Sequence, residues 1–268
     1  MTSWKKQLKS ALRKTPLFKP LKYMAAIFGR STYPLPFSHI EPAAPFLDRA
    51  IERIGHAPDP NCKDEQFYSY FSEMWAEGYE DGLQQQYEAY LPHIQKDNSL
   101  PFLDVGCGAG EFVKYLASNG ISSCGIDSNK LEVERAKYRG LDVRLADAMT
   151  YLKKSSEAFS GVSLIEVIEH LQTEHLKTLL LMIRNALAPG GLLLIETINP
   201  SNRLAFNAFY TDPTHTRPIP SDYLAFLVQW TGFTDVKIIH TGPMAYSRDE
   251  YHNASRAYLV YAIIAKKA

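Results

Sequence analysis

From Ser99 onward, short continuous apolar runs alternate with longer stretches in which apolar residues recur at helical spacing. The runs LPFLDV, SSCGID, LDVRLAD, GVSLIEV and GLLLIET are each short enough, and apolar enough on consecutive positions, to be strands buried on both faces. Strands that alternate with helices predict a parallel sheet covered by helices on both sides, an α/β architecture. In such sheets a ligand sits beyond the carboxyl ends of the strands, so the chemistry is expected where each run stops.

The pattern before Ser99 is different. An aromatic-rich helical region spans roughly residues 64–94, with bends expected at Gly78 and Gly82. Ahead of it, STYPLPFSHIEPAAP (residues 31–45) has four prolines and little periodicity, as a linker or an extended wrapped segment would. The first residues place Trp4, Leu8, Ala11 and Leu12 at helical spacing with lysines between them. The reading divides the chain into a basic extension and linker (1–60), a helical lead-in (61–98) and one main domain (99–268).

Charge sharpens that division. The formal net charge is zero, yet eight basic and no acidic side chains precede Glu41, so the rest of the chain carries the balancing excess of acid. Two readings of this arm stay open: a helix lying on an anionic membrane surface, or an arm that packs on the domain or on a partner subunit of a homo-oligomer. Nucleic acid is not expected as a partner, because the positive residues do not continue into the domain. No run of eighteen apolar residues is present, and the basic start lacks the apolar core and cleavage site of a secretory leader. Cys62, Cys107 and Cys124 lack paired spacing, which argues for a reducing, cytoplasmic compartment and against a disulfide frame or structural zinc. The expected location is therefore cytoplasmic, and peripheral at the inner membrane if the arm binds lipid.

The first strand stops at LDVGCGAGEF. Gly106, Gly108 and Gly110 leave the turn free of Cβ atoms, so main-chain groups can approach a ligand closely. The spacing is G-x-G-x-G rather than the dinucleotide G-x-G-x-x-G, with Asp104 ahead of it and Glu111 where the last glycine would stand. Acidic neighbours repel a bulky anion and favour a sulfonium cation with an amino-acid head. Asp127, at the end of the second strand, can accept from both hydroxyls of a ribose. Asp147, at the end of the third, can accept from an adenine amino group, with the Ala148 amide facing the ring. For each aspartate alone the alternative is a helix N-cap.

In this order and spacing, LDVGCGAGEF, GIDSN, LADA, VIEHL and APGGLLLIET resemble the class I S-adenosylmethionine (SAM)-dependent methyltransferases. The resemblance implies a Rossmann-like seven-stranded sheet, mostly parallel, closed by an antiparallel hairpin for which FTDVKIIHT and RAYLVYAIIAKK are suited. It implies that Gly106, Cys107 and Gly108, with Asp104 and Gly110, line the methionine portion of SAM. Asp127 and Ser128 would then hold the ribose, and Asp147 with Ala148 the adenine. A narrower resemblance runs through YLPHI and ETINPSNRLAFNAFYTDPTHTRPIPSDYLAFL, which are similar to bacterial surface-polysaccharide methyltransferases. It implies a glycan or glycolipid acceptor, such as a lipopolysaccharide O-antigen or capsule sugar. Where that group carries an arginine-containing stretch, this chain has MWAEGYEDGLQQQYEAY.

Glu166, Glu169 and His170 follow the fourth strand, and a helical turn there would put them on one face at i, i+3 and i+4. Two carboxylates and an imidazole suit a divalent cation, Mg²⁺, Mn²⁺ or Fe²⁺, better than structural zinc. The Glu-x-x-Glu-His element also resembles the metal-binding element of ubiquinone-pathway and of small-RNA O-methyltransferases; the latter supply a further histidine after the fifth strand, for which His215 in DPTHTRP is the matching candidate. Without a metal, His170 or His215 would act as general base. His175 sits on a polar helix and is expected to be solvated, while Arg217 would meet an anionic acceptor group or form an ion pair. The loop at 241–255 would bring Tyr246, Arg248 and Tyr251 to the mouth of the cleft. The leading functional reading is a metal-assisted glycan O-methyltransferase. The alternatives are an O-methyltransferase for a lipid-soluble acceptor such as a quinone precursor, a metal-independent enzyme with a histidine base, and a cofactor-binding protein without catalysis.

Overall fold

The computed structural model describes residues 45–59, 64–73, 80–96, 99–154, 158–243 and 254–268. Residues 46–268 form a single compact unit. The expected basic arm, the bend at Gly78 and the side chains of Tyr246, Arg248 and Tyr251 lie outside the described residues.

Three helices lead in, α1 (Phe46–Ile54), α2 (Asp64–Glu73) and α3 (Glu80–Tyr90), so Gly82 lies inside a helix. The strands are β1 (Phe102–Val105), β2 (Ser123–Asp127), β3 (Val143–Leu145), β4 (Phe159–Ile165), β5 (Leu187–Ile198), β6 (Phe233–Pro243) and β7 (Tyr258–Lys267). Between them run α4 (Glu111–Ser118), α5 (Lys130–Tyr138), α6 (Ala148–Lys154), α7 (Thr173–Ala186), α8 (Ala205–Thr211) and α9 (Ser221–Trp230). The seven strands form one sheet in the order β3-β2-β1-β4-β5-β7-β6. The first five pair in parallel, and β7 inserts antiparallel between β5 and β6. This is the expected α/β sheet with its closing hairpin.

Strand alternation sorts the core into two faces. Leu103, Val105, Val162, Leu164, Leu193 and Ile195 point to one side, against Leu176, Leu180 and Ile183 of α7 and Leu224 and Val228 of α9. Phe102, Leu192, Leu194 and Ile264 point to the other, against Tyr87 and Tyr90 of α3 and Phe112 and Leu116 of α4. β1 is buried at every position because helices cover both its faces. The chain order reverses between β1 and β4, so a crevice opens above their carboxyl ends.

Helix α2 is tied to the sheet layer by charge. Glu73 accepts from Arg53 of α1 at 2.6 Å and pairs with Arg135 of α5, which also holds Glu132 at 3.1 Å. Ser69 adds a hydrogen bond from the Asn129 amide group at 3.3 Å. Burial opposes ionisation of Glu73, but Arg135 and Arg53 outweigh it and hold its carboxyl below the usual carboxylate range. The strap keeps α2 over the β2 end of the crevice.

Candidate active site

The loop after β1 supplies the donor side of the crevice. Gly106, Gly108 and Gly110 all adopt positive φ (72°, 53° and 84°), a conformation that L side chains resist. Two of them are also sterically committed. A Cβ on Gly106 would lie 2.6 Å from Val167 Cγ2, and one on Gly110 would lie 2.5 Å from Leu141 Cδ1. Gly108 is different: nothing stands within 4 Å of the missing Cβ, so its surface is open for a ligand to lie against. Cys107 points inward and is buried; burial pushes its thiol up, and a Cβ on Gly125 would sit 2.6 Å from its Sγ. Its side chain is thus a packing element, and what it can offer a ligand is backbone.

Asp127 closes this loop from β2. Its Oδ2 accepts from the Gly108 amide at 2.8 Å and its Oδ1 from the Asn129 amide at 2.7 Å. The helix N-cap of α5 is Asn129, whose Oδ1 accepts from Leu131 N at 3.0 Å. A carboxylate has about four acceptor sites, so Asp127 keeps capacity for two ribose hydroxyls while it positions the glycine loop. Ser128 is exposed beside it. Asp147 does cap a helix: its Oδ1 accepts from Thr150 N at 2.8 Å, and the Thr150 hydroxyl, then that amide, lower its carboxyl's pKa. The residue is nonetheless exposed, and Ala148 opens α6 next to it. Asp104 is buried beneath the loop, accepts from Ser163 Oγ at 2.6 Å, and is pushed up to about 7 by burial against that bond. It can act on a bound cation only as a field from below.

The acidic pair after β4 is held in an unusual backbone. Glu166 has φ of +53°, a conformation that costs a non-glycine residue on the order of 1 kcal/mol or more and persists only where its surroundings enforce it. Its amide donates to the Glu196 carbonyl at 3.1 Å, and Val167 wedges against the glycine loop. The expected helical turn is a short 3₁₀ turn, Ile168–His170. Glu166 Oε1, both carboxyl oxygens of Glu169 and Glu196 Oε1 are buried with no donor when all three carboxyls are charged, and a proton shared between Glu166 and Glu169 joins that pair. Burial, then the Glu169 carboxylate, holds Glu166 well above the usual range; burial takes Glu169 to about 7. Glu196, at the end of β5, is pushed to about 8 by burial and then by Glu166, although Tyr90 donates to its Oε2.

The histidines converge beside this pair. The ring centroids of His170 and His215 are 4.6 Å apart, and one ligand atom from each lies within 4.8 Å of an oxygen of Asp212. The segment that carries Asp212 and His215 is clipped to the turn after β4: Thr216 N donates to the Glu169 carbonyl at 2.8 Å, and Thr216 Oγ1 lies 2.9 Å from both the Glu169 and Leu171 carbonyls. Burial, reinforced by His215, lowers His170 to about 4, so its imidazole is neutral at physiological pH. Phe209 of α8 lies against His215 at 4.8 Å, and Tyr68 of α2 stands edge-on to His170 at 6.2 Å. Tyr68 is raised by burial, then by Asp212, Glu169, Asp127 and Glu166; a phenol that feels all four carboxylates lies between the donor loop and the histidines.

The expected ligand set therefore divides. His170 and His215 meet, but their carboxylate companion among the described residues is Asp212, while Glu166 and Glu169 lie outside that convergent group. Asp212 stands three positions before His215 in the same DPTH stretch, and that spacing was a signal available in the sequence. Glu196, Tyr90 and Tyr68 had no such signal, since only folding brings them to the crevice. His175 is exposed, as expected. Arg217 donates to Thr173 Oγ1 at 3.0 Å and lies 5.6 Å over the Tyr223 ring.

A glycine loop, a ribose-height carboxylate and an exposed third aspartate at successive strand ends of this sheet order define a SAM-dependent methyltransferase of class I. The family described as "Methyltransferase domain" matches residues 74–238, more than half of the chain, and the protein belongs to that family. SAM is the family's cofactor, and the cradle at Gly106, Gly108 and Asp127 fits it. Among curated proteins, the ubiquinone biosynthesis O-methyltransferase of Rickettsia canadensis is 30% identical over 116 residues, 42% of this chain and 48% of that protein. The mitochondrial ubiquinone biosynthesis O-methyltransferase of Candida albicans is 31% identical over 149 residues, 52% of this chain and 45% of that one. The chain thus spans about half the length of the curated relatives it matches. A SAM-dependent methyltransferase from Archaeoglobus fulgidus superposes with a TM-score of 0.65 at 28% identity, over 75% of this chain and 100% of that one. Magnesium protoporphyrin IX methyltransferase from Synechocystis PCC 6803, solved with SAH, has a TM-score of 0.53 over 82% and 93% of the two chains, and at 16% identity that likeness is one of fold. Among the described residues no helix is long and apolar enough to cross a membrane.

Proposed function

We propose that the protein transfers the SAM methyl group to a hydroxyl oxygen of a small, lipid-soluble acceptor of the quinone-precursor kind. The similarity to ubiquinone biosynthesis O-methyltransferases supports this acceptor over the surface glycan that the sequence alone put first. The single observation that carries oxygen transfer is the meeting of His170 and His215 next to the Glu-x-x-Glu-His turn, on the acceptor side of the glycine loop. The approach is apolar as well: α8 and the residue before it expose Leu204, Phe206 and Tyr210 beside the Phe209 ring that backs His215.

The reaction is an in-line displacement. The acceptor oxygen forms a bond to the methyl carbon while the carbon–sulfur bond breaks, its electron pair stays on sulfur, and SAH leaves. Alignment supplies much of the acceleration. The chain's contribution is to hold the two reactants end to end. The glycine loop and Asp127 position the donor, Tyr68 and Phe209 wall the acceptor side, and the histidine pair accepts the hydroxyl proton. The histidine pair also suits a divalent cation. A bound cation would lower the pKa of an adjacent hydroxyl.

A second reading keeps the polysaccharide acceptor, because Phe206 and Tyr210 are stacked at 6.1 Å on an exposed face that suits a sugar ring. The test is methyl transfer from labelled SAM to a catechol-type quinone precursor and, in parallel, to purified surface glycans. Transfer to the catechol alone supports the proposal, and transfer to the glycan alone overturns it.

A further inference from the structure

The hydrogen bonds around His170, Asp212 and His215 determine where their lone pairs lie. His215 Nδ1 is 2.7 Å from the Phe209 carbonyl oxygen. A carbonyl only accepts, so Nδ1 carries the proton and the lone pair is on Nε2. Thr214 Oγ1 donates its single proton to Asp212 Oδ1 at 2.6 Å, and the Thr214 amide donates to the same oxygen at 2.8 Å. The Thr214 hydroxyl can then only accept from His170 Nδ1, 2.8 Å away. That assigns the His170 proton to Nδ1 and its lone pair to Nε2, on a ring that the Thr214 and Glu166 carbonyls also approach.

This arrangement fits three ligands waiting for an ion better than it fits a set of partners to one another. His215 Nε2 and Asp212 Oδ2 are 3.9 Å apart, too far to hydrogen-bond. Two donors bound at about 2.1 Å to one ion can be separated by up to about 4.2 Å, so that gap is one an ion can span. Both rings hold their second nitrogen to a fixed acceptor, one a backbone carbonyl and the other a hydroxyl anchored on the third ligand, as metal-bound imidazoles do. The site is nearly closed from behind, with side-chain exposure of 7% for His215 and 13% for Asp212. The Phe209 and Tyr68 rings flank it, and the acceptor side is left for exogenous oxygens.

We propose that His170, Asp212 and His215 bind a divalent transition-metal cation as a two-imidazole, one-carboxylate set, with Glu166 and Glu169 outside its coordination. Two nitrogens and one oxygen select Mn²⁺, Fe²⁺, Co²⁺ or Zn²⁺ over Mg²⁺, which prefers oxygen alone. Three protein ligands leave positions for two adjacent acceptor oxygens, as in a catechol or a vicinal diol. The site itself stands on side-chain geometry; only the use made of the ion rests on the O-methyltransferase reading.

Co²⁺ alone, titrated into the full-length protein, tests this by its visible absorption and by calorimetry. One equivalent is expected to bind to the wild type. Asp212→Asn and His215→Gln each weaken binding at least tenfold, and Thr214→Val, which removes a support and no ligand, weakens it about tenfold. Glu166→Gln and Glu169→Gln keep the spectrum. Loss of Co²⁺ binding in Glu166→Gln with retention in Asp212→Asn overturns the proposal, as does a wild type that binds no Co²⁺. SAM titration of the same samples reports folding and donor binding, so a protein that binds SAM and no cobalt refutes the metal site and leaves the methyltransferase reading intact.

Discussion

The Thr216 amide donates to the carbonyl of Glu169 at 2.8 Å, and that bond closes the acceptor side of the crevice. It joins a segment that follows α8 to the 3₁₀ turn that follows β4, elements far apart in the chain. The Thr216 hydroxyl reinforces it, 2.9 Å from the same carbonyl and 2.9 Å from that of Leu171. His170 and His215 face each other because of this clip.

Replacing the hydroxyl tests the clip. Thr216→Val keeps the shape of the side chain and the amide bond to the Glu169 carbonyl but removes the one hydroxyl proton that the Glu169 and Leu171 carbonyls share. A loss of about 1 kcal/mol in unfolding free energy is expected, with kcat reduced severalfold and the SAM dissociation constant unchanged. Denaturant titration and steady-state kinetics measure both; unaltered kcat would show that Thr216 does not position the histidines.

Gly106 couples the donor loop to the acceptor turn through Val167. In Gly106→Ala the new methyl meets Val167 Cγ2 at 2.6 Å on a backbone whose φ is +72°. Overpacking and backbone strain together are expected to cost about 1–3 kcal/mol and to weaken SAM binding. Adding Val167→Ala relieves the contact but leaves the backbone strain, so stability should return only in part. Melting temperature and SAM calorimetry of the single and double variants decide; full recovery would mean that φ carries no cost there.

Asp127 positions the glycine loop and, in the proposed donor site, would also accept from the ribose, and a conservative change separates the two. Asp127→Asn keeps one accepting oxygen for the glycine loop but gives up the charge and one acceptor. Charge-assisted hydrogen bonds are worth about 1.5–3 kcal/mol, so SAM affinity is expected to fall roughly ten- to a hundredfold while the fold is retained. Calorimetry with SAM and with methionine makes the comparison sharper, since a ribose contact predicts a loss confined to the nucleoside.

Buried Glu196 makes stability depend on pH in a direction opposite to that of a surface carboxylate. Burial raises its pKa from 4.5 to about 8, so the folded state holds this proton where the unfolded chain has released it. Its contribution is complete below pH 4.5 and is lost as pH rises through about 8. Glu196→Gln, which keeps an acceptor for the Tyr90 hydroxyl, is expected to flatten the decline between those values. Urea midpoints at pH 5 and pH 8 measure it; an equal decline in both proteins would assign the dependence to another group.

Much of the fold is legible in the chain because it rests on local rules. Five apolar runs separated by amphipathic helices require a parallel sheet, and glycines at 106, 108 and 110 announce a turn that side chains could not follow. Asp127 and the Glu-x-x-Glu-His turn could be located for the same reason: each stands where a strand must stop. In the long helical stretch before β1, the described residues form α2 and α3, and residues 74–79 lie outside the described residues.

The company each side chain keeps was decided elsewhere. Glu166 and Glu169 share a turn with His170, and sequence spacing assigned all three to one ion. In the fold the two carboxyls are buried near Glu196, and the carboxylate that converges with the histidines among the described residues is that of Asp212. Spacing along the chain determines which residues reach the crevice, because strand and turn geometry are local. Which of them point at one another depends on long-range contacts, such as Thr216 on Glu169 and Tyr90 on Glu196, that exist only once the layers have packed.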